Sequence, residues 1–177
     1  SNFEALVRLK DNQTLGFVSP EEFIPIAEKH GLIMKLSDKI FNLVFEFVSA
    51  QKLDEKGISH IEVNLSGLQS VEATLPQQMT ELLQKYKLNP SIVNLEITES
   101  IAITSSYMLK KNMDELKKIG CTFSMDDFGT GYSNLSQIAT VDYELIKIDK
   151  SLLWPCFDEK NPGRERAKII LQNMISM

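Results

Sequence analysis

Ser124-Met125-Asp126-Asp127-Phe128-Gly129-Thr130-Gly131-Tyr132-Ser133-Asn134-Leu135 is the stretch whose reading decides the fold. An apolar run over 121–125 enters two adjacent aspartates, then a Gly-Thr-Gly turn, then an expected helix start at Tyr132 or Ser133. Neighbouring carboxylates repel each other and resist burial as bare anions. They make chemical sense at a strand's end, where a divalent cation neutralises both. Gly129 and Gly131 let the backbone bend sharply or approach a ligand closely. A surface turn of Asp and Gly residues has the same composition, so the surrounding chain has to choose between the readings.

Immediately upstream, 92–99 alternates Val93, Leu95 and Ile97 against Asn94, Glu96 and Thr98, the period of a strand. A helix follows over 106–119, with Leu109, Met113, Leu116 and Ile119 inward and Gly120 as its stop. Downstream come a short helix over 133–138 and a strand over 143–149, in which Ile146 and Ile148 oppose Leu145, Lys147 and Asp149. Pro155 and Asn161-Pro162-Gly163 mark a loop, and a helix from Arg164 still runs at Met177. Towards the N-terminus, 3–10 reads as a strand, 11–14 as a turn and 15–18 as a further extended piece. Ser19-Pro20-Glu21-Glu22 is a helix start with Ser as N-cap, Pro at the first position and Glu three after the cap. That helix runs to about His30 and stops at Gly31. A second covers 34–53, with Leu36, Ile40, Leu43, Val44, Phe47 and Val48 as its apolar stripe. Over 58–66, Ile61, Val63 and Leu65 point one way and Glu62, Asn64 and Ser66 the other. Residues 75–86 form a helix that Asn89-Pro90 breaks.

Strands alternating with helices every 30 residues or so predict a parallel sheet with helices outside it. In a parallel barrel one strand face meets the helices and the other meets the interior. The faces opposite the apolar sets carry Glu4, Asn64, Glu96, Asp126 and Lys147. A purely structural interior would hold branched apolar side chains. Oxygen ligands and a lysine from successive strands instead describe a site at the C-terminal mouth.

The composition narrows the chemistry. The chain has 177 residues, long enough for one domain with a sizeable core. Nineteen Lys and Arg against 24 Asp and Glu leave a net charge of -5, which argues against binding polymeric nucleic acid but not against a small anionic ligand. Cys121 and Cys156 fit no zinc spacing and read as reduced thiols of a cytoplasmic domain, with a membrane anchor elsewhere in a longer parent left open. A donor set of oxygens only suits Mg²⁺ or Mn²⁺, whereas zinc more often recruits His or Cys. The two histidines, His30 and His60, read as surface or packing residues. Asp126 and Asp127 are placed to bridge or divide two metal ions, as in many phosphoester hydrolases. Lys147 would then hold an attacking hydroxide or offset phosphoryl charge. Arg8, on the same strand face as Glu4, suits a bidentate phosphate contact. Asp127-Phe128-Gly129 also matches the kinase metal triplet, but no Gly-rich phosphate loop or His-Arg-Asp loop accompanies it. Proton abstraction beside a substrate carboxylate is a reading these residue types leave open.

Glu4-Ala5-Leu6 followed by Val7-Arg8 resembles the signature that names the EAL-domain family of cyclic-di-GMP phosphodiesterases. The resemblance continues through Glu62-Val63-Asn64-Leu65-Ser66, Leu95-Glu96-Ile97-Thr98-Glu99, 126–133 and Lys147-Ile148-Asp149, essentially the whole chain. It implies a TIM-type (β/α) barrel that hydrolyses cyclic-di-GMP to linear pGpG. It implies Glu4, Asn64, Glu96 and Asp126 as metal ligands and Asp127 on a second metal. Lys147 would position water and Arg8 would contact ligand phosphate. Glu99 would brace the 127–133 loop, which in this family can link metal binding to dimerisation. Sensory or GGDEF-type domains in the parent are a further expectation. The family's earlier Gln-Pro-Ile strand and its later Ala-Glu-Gly-Val-Glu-like segment, which carries the carboxylate commonly assigned as general base, have no counterpart here. The barrel is therefore expected to be incomplete, lacking the first and last strands, with 1–177 a partial EAL domain. A non-catalytic cyclic-di-GMP receptor, or an inactive fragment of the enzyme, is the alternative.

Overall fold

The computed structural model describes residues 1–10, 13–14, 16–53, 55–103, 107–130 and 141–176. Its strands are β1 (Asn2–Ala5), β2 (His60–Asn64), β3 (Val93–Thr98), β4 (Thr122–Phe128) and β5 (Leu145–Ile148). The helices are α1 (Pro20–Lys29), α2 (Ile33–Gln51), α3 (Gly67–Ser70), α4 (Leu75–Tyr86), α5 (Glu99–Ile103), α6 (Tyr107–Ile119), α7 (Lys150–Phe157) and α8 (Arg164–Ile175). The strands follow chain order in one five-stranded sheet, and β1–β2, β2–β3 and β4–β5 are parallel pairs. These are the repeats of a TIM-type barrel, incomplete in this chain. No helix among the described residues is long and apolar enough to cross a membrane.

Contacts divide the chain into two compact units, Ser1–Glu96 with Ser105–Thr122, and Ile97–Thr104 with Phe123–Met177. In the first, Phe45, Val63, Met79, Leu95 and Leu116 are among the buried core side chains. Asn112 on α6 is buried with them, and its amide donates to the carbonyls of Ser70 at 3.0 Å and Glu72 at 2.8 Å. Those two bonds satisfy a polar group that would otherwise be costly to bury. In the second unit, Ile97, Phe123, Met125, Phe128 and Cys156 are buried.

Local chemistry sets the helix ends. At α1 the backbone N–H of Ser19 donates to Glu22 Oε2 at 3.1 Å, Pro20 occupies the first turn, and Gly31 takes φ +67° just past the end. Asp149 caps α7 by accepting from the N–H of Ser151 at 2.7 Å.

Several elements depart from the sequence reading. β1 ends at Ala5 instead of continuing to 10, and of 15–18 the described part holds only an isolated bridge at Gly16. α2 buries Ile33, Ser37, Phe41, Phe45 and Val48, whereas Leu43 and Phe47 of the expected stripe are 52% and 58% exposed. The helix is apolar on two faces, and Leu43, Val44, Phe47 and Val48 of the expected stripe line an apolar cavity of about 480 Å³ with Phe3 and Ala5 of β1. Pro155 lies within α7 rather than in a loop. There it forfeits one backbone bond, a loss a short helix with a strong cap tolerates. α8 runs from Arg164 to Ile175 with Ser176 as its C-cap, and Met177 lies outside the described residues. The short helices α3 and α5 had no counterpart in the sequence reading, and the helix expected over 133–138 lies outside the described residues.

Candidate active site

Strand register assembles the first group of acidic side chains. Glu4 is opposite Glu62, Glu62 is opposite Asn94, and two residues further along the strands Asn64 is opposite Glu96. Parallel strands in register present partnered side chains on one face, and residues two apart share it. Carboxylate oxygens of Glu4, Glu62 and Glu96 accordingly lie within 4.8 Å of one another. Asn64 Nδ2 donates to Glu4 Oε1 at 3.0 Å, holding that carboxylate over the strand ends. Beyond β2, the N–H of Leu65 donates to the carbonyl of Glu96 at 2.8 Å and prolongs the β2–β3 pairing past the acidic rung.

Burial sharpens the chemistry. Glu62 is 5% exposed and Glu96 1%, while Glu4 opens to solvent. Two unit charges about 5 Å apart repel by roughly 3 kcal/mol at an effective dielectric near 20, more than one ordinary hydrogen bond returns. A nearby positive charge offsets that repulsion. The donor set is all oxygen, and ligands facing each other across a hard divalent cation are about 4–5 Å apart, so the residues fit a cation of that kind. Asn94, 1% exposed and beside Glu62, donates its amide N–H to Thr122 Oγ1 at 2.9 Å, while its Oδ1 receives no hydrogen bond.

The second group, in the other unit, is shaped by an irregularity. On β4, Met125 pairs with Ile146 and Phe128 with Ile148, so three steps on β4 span two on β5. The extra residue makes a bulge at Asp126-Asp127, and Asp127 takes φ 56°, a left-handed conformation uncommon outside glycine. The turn closes as Thr130 donates both its N–H, at 3.2 Å, and its Oγ1, at 2.9 Å, to the carbonyl of Asp127. Gly129, at φ +100°, donates its N–H to Glu99 Oε2 at 2.8 Å. A Cβ there would lie 2.6 Å from Leu152 Cγ, so glycine is required by conformation and by space. The N–H of Asp149 bonds the carbonyl of Phe128 at 3.0 Å, tying β5 to the strand beyond the bulge.

Electrostatics separates the aspartates of this group. Partial burial, then the charges of Asp126 and Asp149, hold the Asp127 carboxyl above its ordinary value, with Lys150 opposing. Asp149 is held below its ordinary value, chiefly by the hydrogen bond from Ser151. Lys147 is half-buried on β5 between Ile146 and Ile148, across from the bulge.

Of the residues singled out in sequence, Glu4, Asn64 and Glu96 come together in one unit, and Asp126, Asp127, Glu99 and Lys147 belong to the other. Arg8 departs from its expected setting. Because β1 stops at Ala5, it does not share a strand face with Glu4, and its exposed guanidinium donates to the neighbouring carbonyl of Val7 at 2.7 Å. His60 proves to be the first residue of β2, in register with Asn2. Glu62 was passed over in sequence, although its alternation with Val63 already placed it on the face of Asn64. Residues 131–140, including Gly131-Tyr132-Ser133, lie outside the described residues.

Parallel β/α repeats with carboxylates at strand positions suited to a hard cation place the chain in the class of barrel-type β/α domains. The chain belongs to the EAL domain family, whose model matches residues 1–177. It is 30% identical over 151 residues to the cyclic di-GMP phosphodiesterase PdeF of Escherichia coli K12, covering 85% of this chain and 20% of that protein. It is 30% identical over 175 residues to the cyclic di-GMP phosphodiesterase PA2567 of Pseudomonas aeruginosa, covering 98% of this chain and 28% of that protein. The chain therefore spans less than a third of the length of these relatives. Among solved structures, the PaMucR phosphodiesterase in complex with c-di-GMP matches with a TM-score of 0.83 at 28% identity, covering 98% of this chain and 68% of that one.

Proposed function

We propose that this chain is part of a metal-dependent phosphodiesterase that opens cyclic-di-GMP to linear pGpG. Membership of the EAL family supplies the substrate class, and the observation that carries the reading is the oxygen cluster of Glu4, Glu62 and Glu96, with ligand atoms within 4.8 Å. The reaction adds water across one phosphodiester: the P–O3′ bond breaks, a water oxygen joins phosphorus, and a water proton ends on the 3′ oxygen. Mg²⁺ or Mn²⁺, two ions in this proposal, would supply Lewis acidity at the phosphoryl oxygen and lower the pKa of bound water.

The residue roles follow the family resemblance. Glu4, Asn64, Glu96 and Asp126 hold metal, and Asp127 serves the second ion. Lys147 orients the attacking water and offsets phosphoryl charge. Arg8, exposed outside the strand, contacts a ligand phosphate. Glu99 braces the turn after Asp127 through the N–H of Gly129. The domain extent, 1–177 as part of an EAL domain, is included in this proposal. So are a homodimer and sensory or GGDEF-type domains in the parent, for which the relatives' greater length leaves room.

The test is incubation of the purified chain with cyclic-di-GMP and Mg²⁺ or Mn²⁺, following pGpG by chromatography, beside a chain extended at both ends. Turnover by either, abolished by chelator, supports the enzyme. Binding of the dinucleotide without turnover by the extended chain makes this a receptor instead. The absence of both overturns the proposal.

A further inference from the structure

The turn that follows Asp127 is held from three sides, all within one unit. Glu99 Oε2 accepts from the N–H of Gly129 at 2.8 Å, and the N–H of Asp149 donates to the carbonyl of Phe128 at 3.0 Å. The third hold is apolar. The side chain of Leu152, in the first turn of α7, occupies the space over Gly129 Cα where any other residue would carry a Cβ. We propose that Leu152 is a positioning residue of the phosphodiesterase: it pins the 127–129 turn and so keeps Asp127 in the bulged conformation that serves the second ion. The inference rests on the metal-dependent reading above and deepens it with a residue that none of the ordered motifs contains.

Asp127 sits at φ 56°, a conformation that a residue other than glycine keeps only where its surroundings over-determine it. A hydrogen bond fixes one pair of atoms, whereas a packed side chain blocks displacement of the Cα itself. Leu152 is in turn firmly seated. Its N–H donates to the carbonyl of Asp149 at 3.1 Å, and the Asp149 side chain caps the helix by accepting from the N–H of Ser151 at 2.7 Å. One turn on, Cys156 is buried, and its thiol donates to the Leu152 carbonyl at 3.5 Å. Arg164 Nε donates to the Cys156 carbonyl at 3.1 Å and closes the far end of α7. The residue that caps Leu152's helix is also the one whose N–H holds Phe128, so seat and turn share an anchor. Truncating Leu152 leaves a void against a glycine, the residue with the widest backbone freedom, and frees the turn to move. Groups just outside a ligand sphere commonly change metal affinity about 10- to 100-fold.

The experiment uses the chain extended at both ends, comparing wild type with Leu152→Ala, Leu152→Met and Met79→Ala. Met79 is buried in the other unit, so its truncation controls for lost stability alone. Two quantities are read: amide hydrogen exchange of segment 123–130 in the metal-free protein, and the Mn²⁺ concentration that half-saturates pGpG formation. Leu152→Ala is expected to speed exchange of that segment about tenfold and to raise the half-saturating Mn²⁺ about tenfold. Leu152→Met, which conserves volume, is expected to keep both within about threefold of wild type. Met79→Ala is expected to lower the unfolding midpoint and to move neither. If Leu152→Ala leaves either quantity within about twofold of wild type, the role of Leu152 falls, and turnover by wild type keeps the phosphodiesterase reading standing. Changes matched by Met79→Ala, or a Leu152→Met chain as impaired as Leu152→Ala, mark Leu152 as a packing residue and overturn the inference in the same way. Should Leu152→Ala fail to fold, Leu152→Val carries the same comparison, with shifts of about threefold expected and the same lower limit. If the wild-type extended chain forms no pGpG, the phosphodiesterase reading falls and this inference with it.

Discussion

The carboxylates of β1–β3 and those around the β4–β5 bulge reach their positions by opposite means. The first group needs nothing irregular. Glu4, Glu62 and Glu96 stand on ordinary strands, and in-register pairing brings their oxygens within 4.8 Å. The second group depends on broken regularity: an extra residue in β4, a left-handed Asp127, a glycine with no room for a Cβ, and a buried glutamate holding that glycine's N–H. Regular register makes a rigid donor set from sequence alternation. A bulge re-aims two consecutive side chains that a regular strand would send to opposite faces, and it depends on distant residues to stay in shape.

That contrast can be tested, beginning with the group built on register. Glu96→Gln removes a buried carboxylate of the straight-strand group and is expected to lower pGpG formation by the active extended chain by about 10³-fold, roughly 4 kcal/mol in barrel chemistry terms. Its fold should persist by circular dichroism. A loss below about tenfold would show that this group is not the metal site.

Gly129→Ala probes the bulge. Its left-handed φ and the collision with Leu152 predict a loss of about 2–4 kcal/mol in urea unfolding. Leu152→Ala in the same chain should recover the part due to the collision and leave the part due to φ. Full additivity of the two substitutions would break the account of the turn.

A smaller effect reports on β4 near its start. Burial pushes the Cys121 thiol up to about 12 from 9.0. The folded chain keeps this proton where the unfolded chain loses it. The stability contribution is therefore complete below pH 9 and is lost as pH rises from there towards 12. Between pH 8 and pH 10 the expected loss is about 1 kcal/mol. Cys121→Ala should flatten that portion of the pH profile, and an unchanged slope would contradict the assignment.

The smallest effect is at Arg8. An exposed coil arginine bonded to its neighbour's carbonyl should leave stability within about 0.5 kcal/mol when changed to alanine. The same variant of the extended chain should bind cyclic-di-GMP about tenfold more weakly. Equal binding would remove Arg8 from the substrate contacts.

Particular residues show what was legible before the structure. Ser19-Pro20-Glu22 announces α1 because capping is a local exchange between side chain and backbone. Val93 to Thr98 reads as a strand by its alternation, but the burial of both faces, including Asn94 and Glu96, does not follow from alternation. α2 misled because Leu43 and Phe47 are as apolar as the Phe41 and Phe45 that are buried. Periodicity identifies an apolar face, and only the neighbouring elements choose between two of them. Arg8 misled for the related reason that strand length depends on a pairing partner, and β2 pairs with β1 only as far as Ala5.

The sequence by itself determined the alternation of strands and helices, the oxygen-only donor types and the family, because periodicity, capping and ordered motifs are written in local residue order. Tertiary structure alone decided that Glu62 joins Glu4 and Glu96, that Asp127 is left-handed, and that Leu152 leaves no room for a Cβ at Gly129. Each of these depends on strand register or on the contact of residues far apart in the chain, and neither quantity exists until the strands have paired.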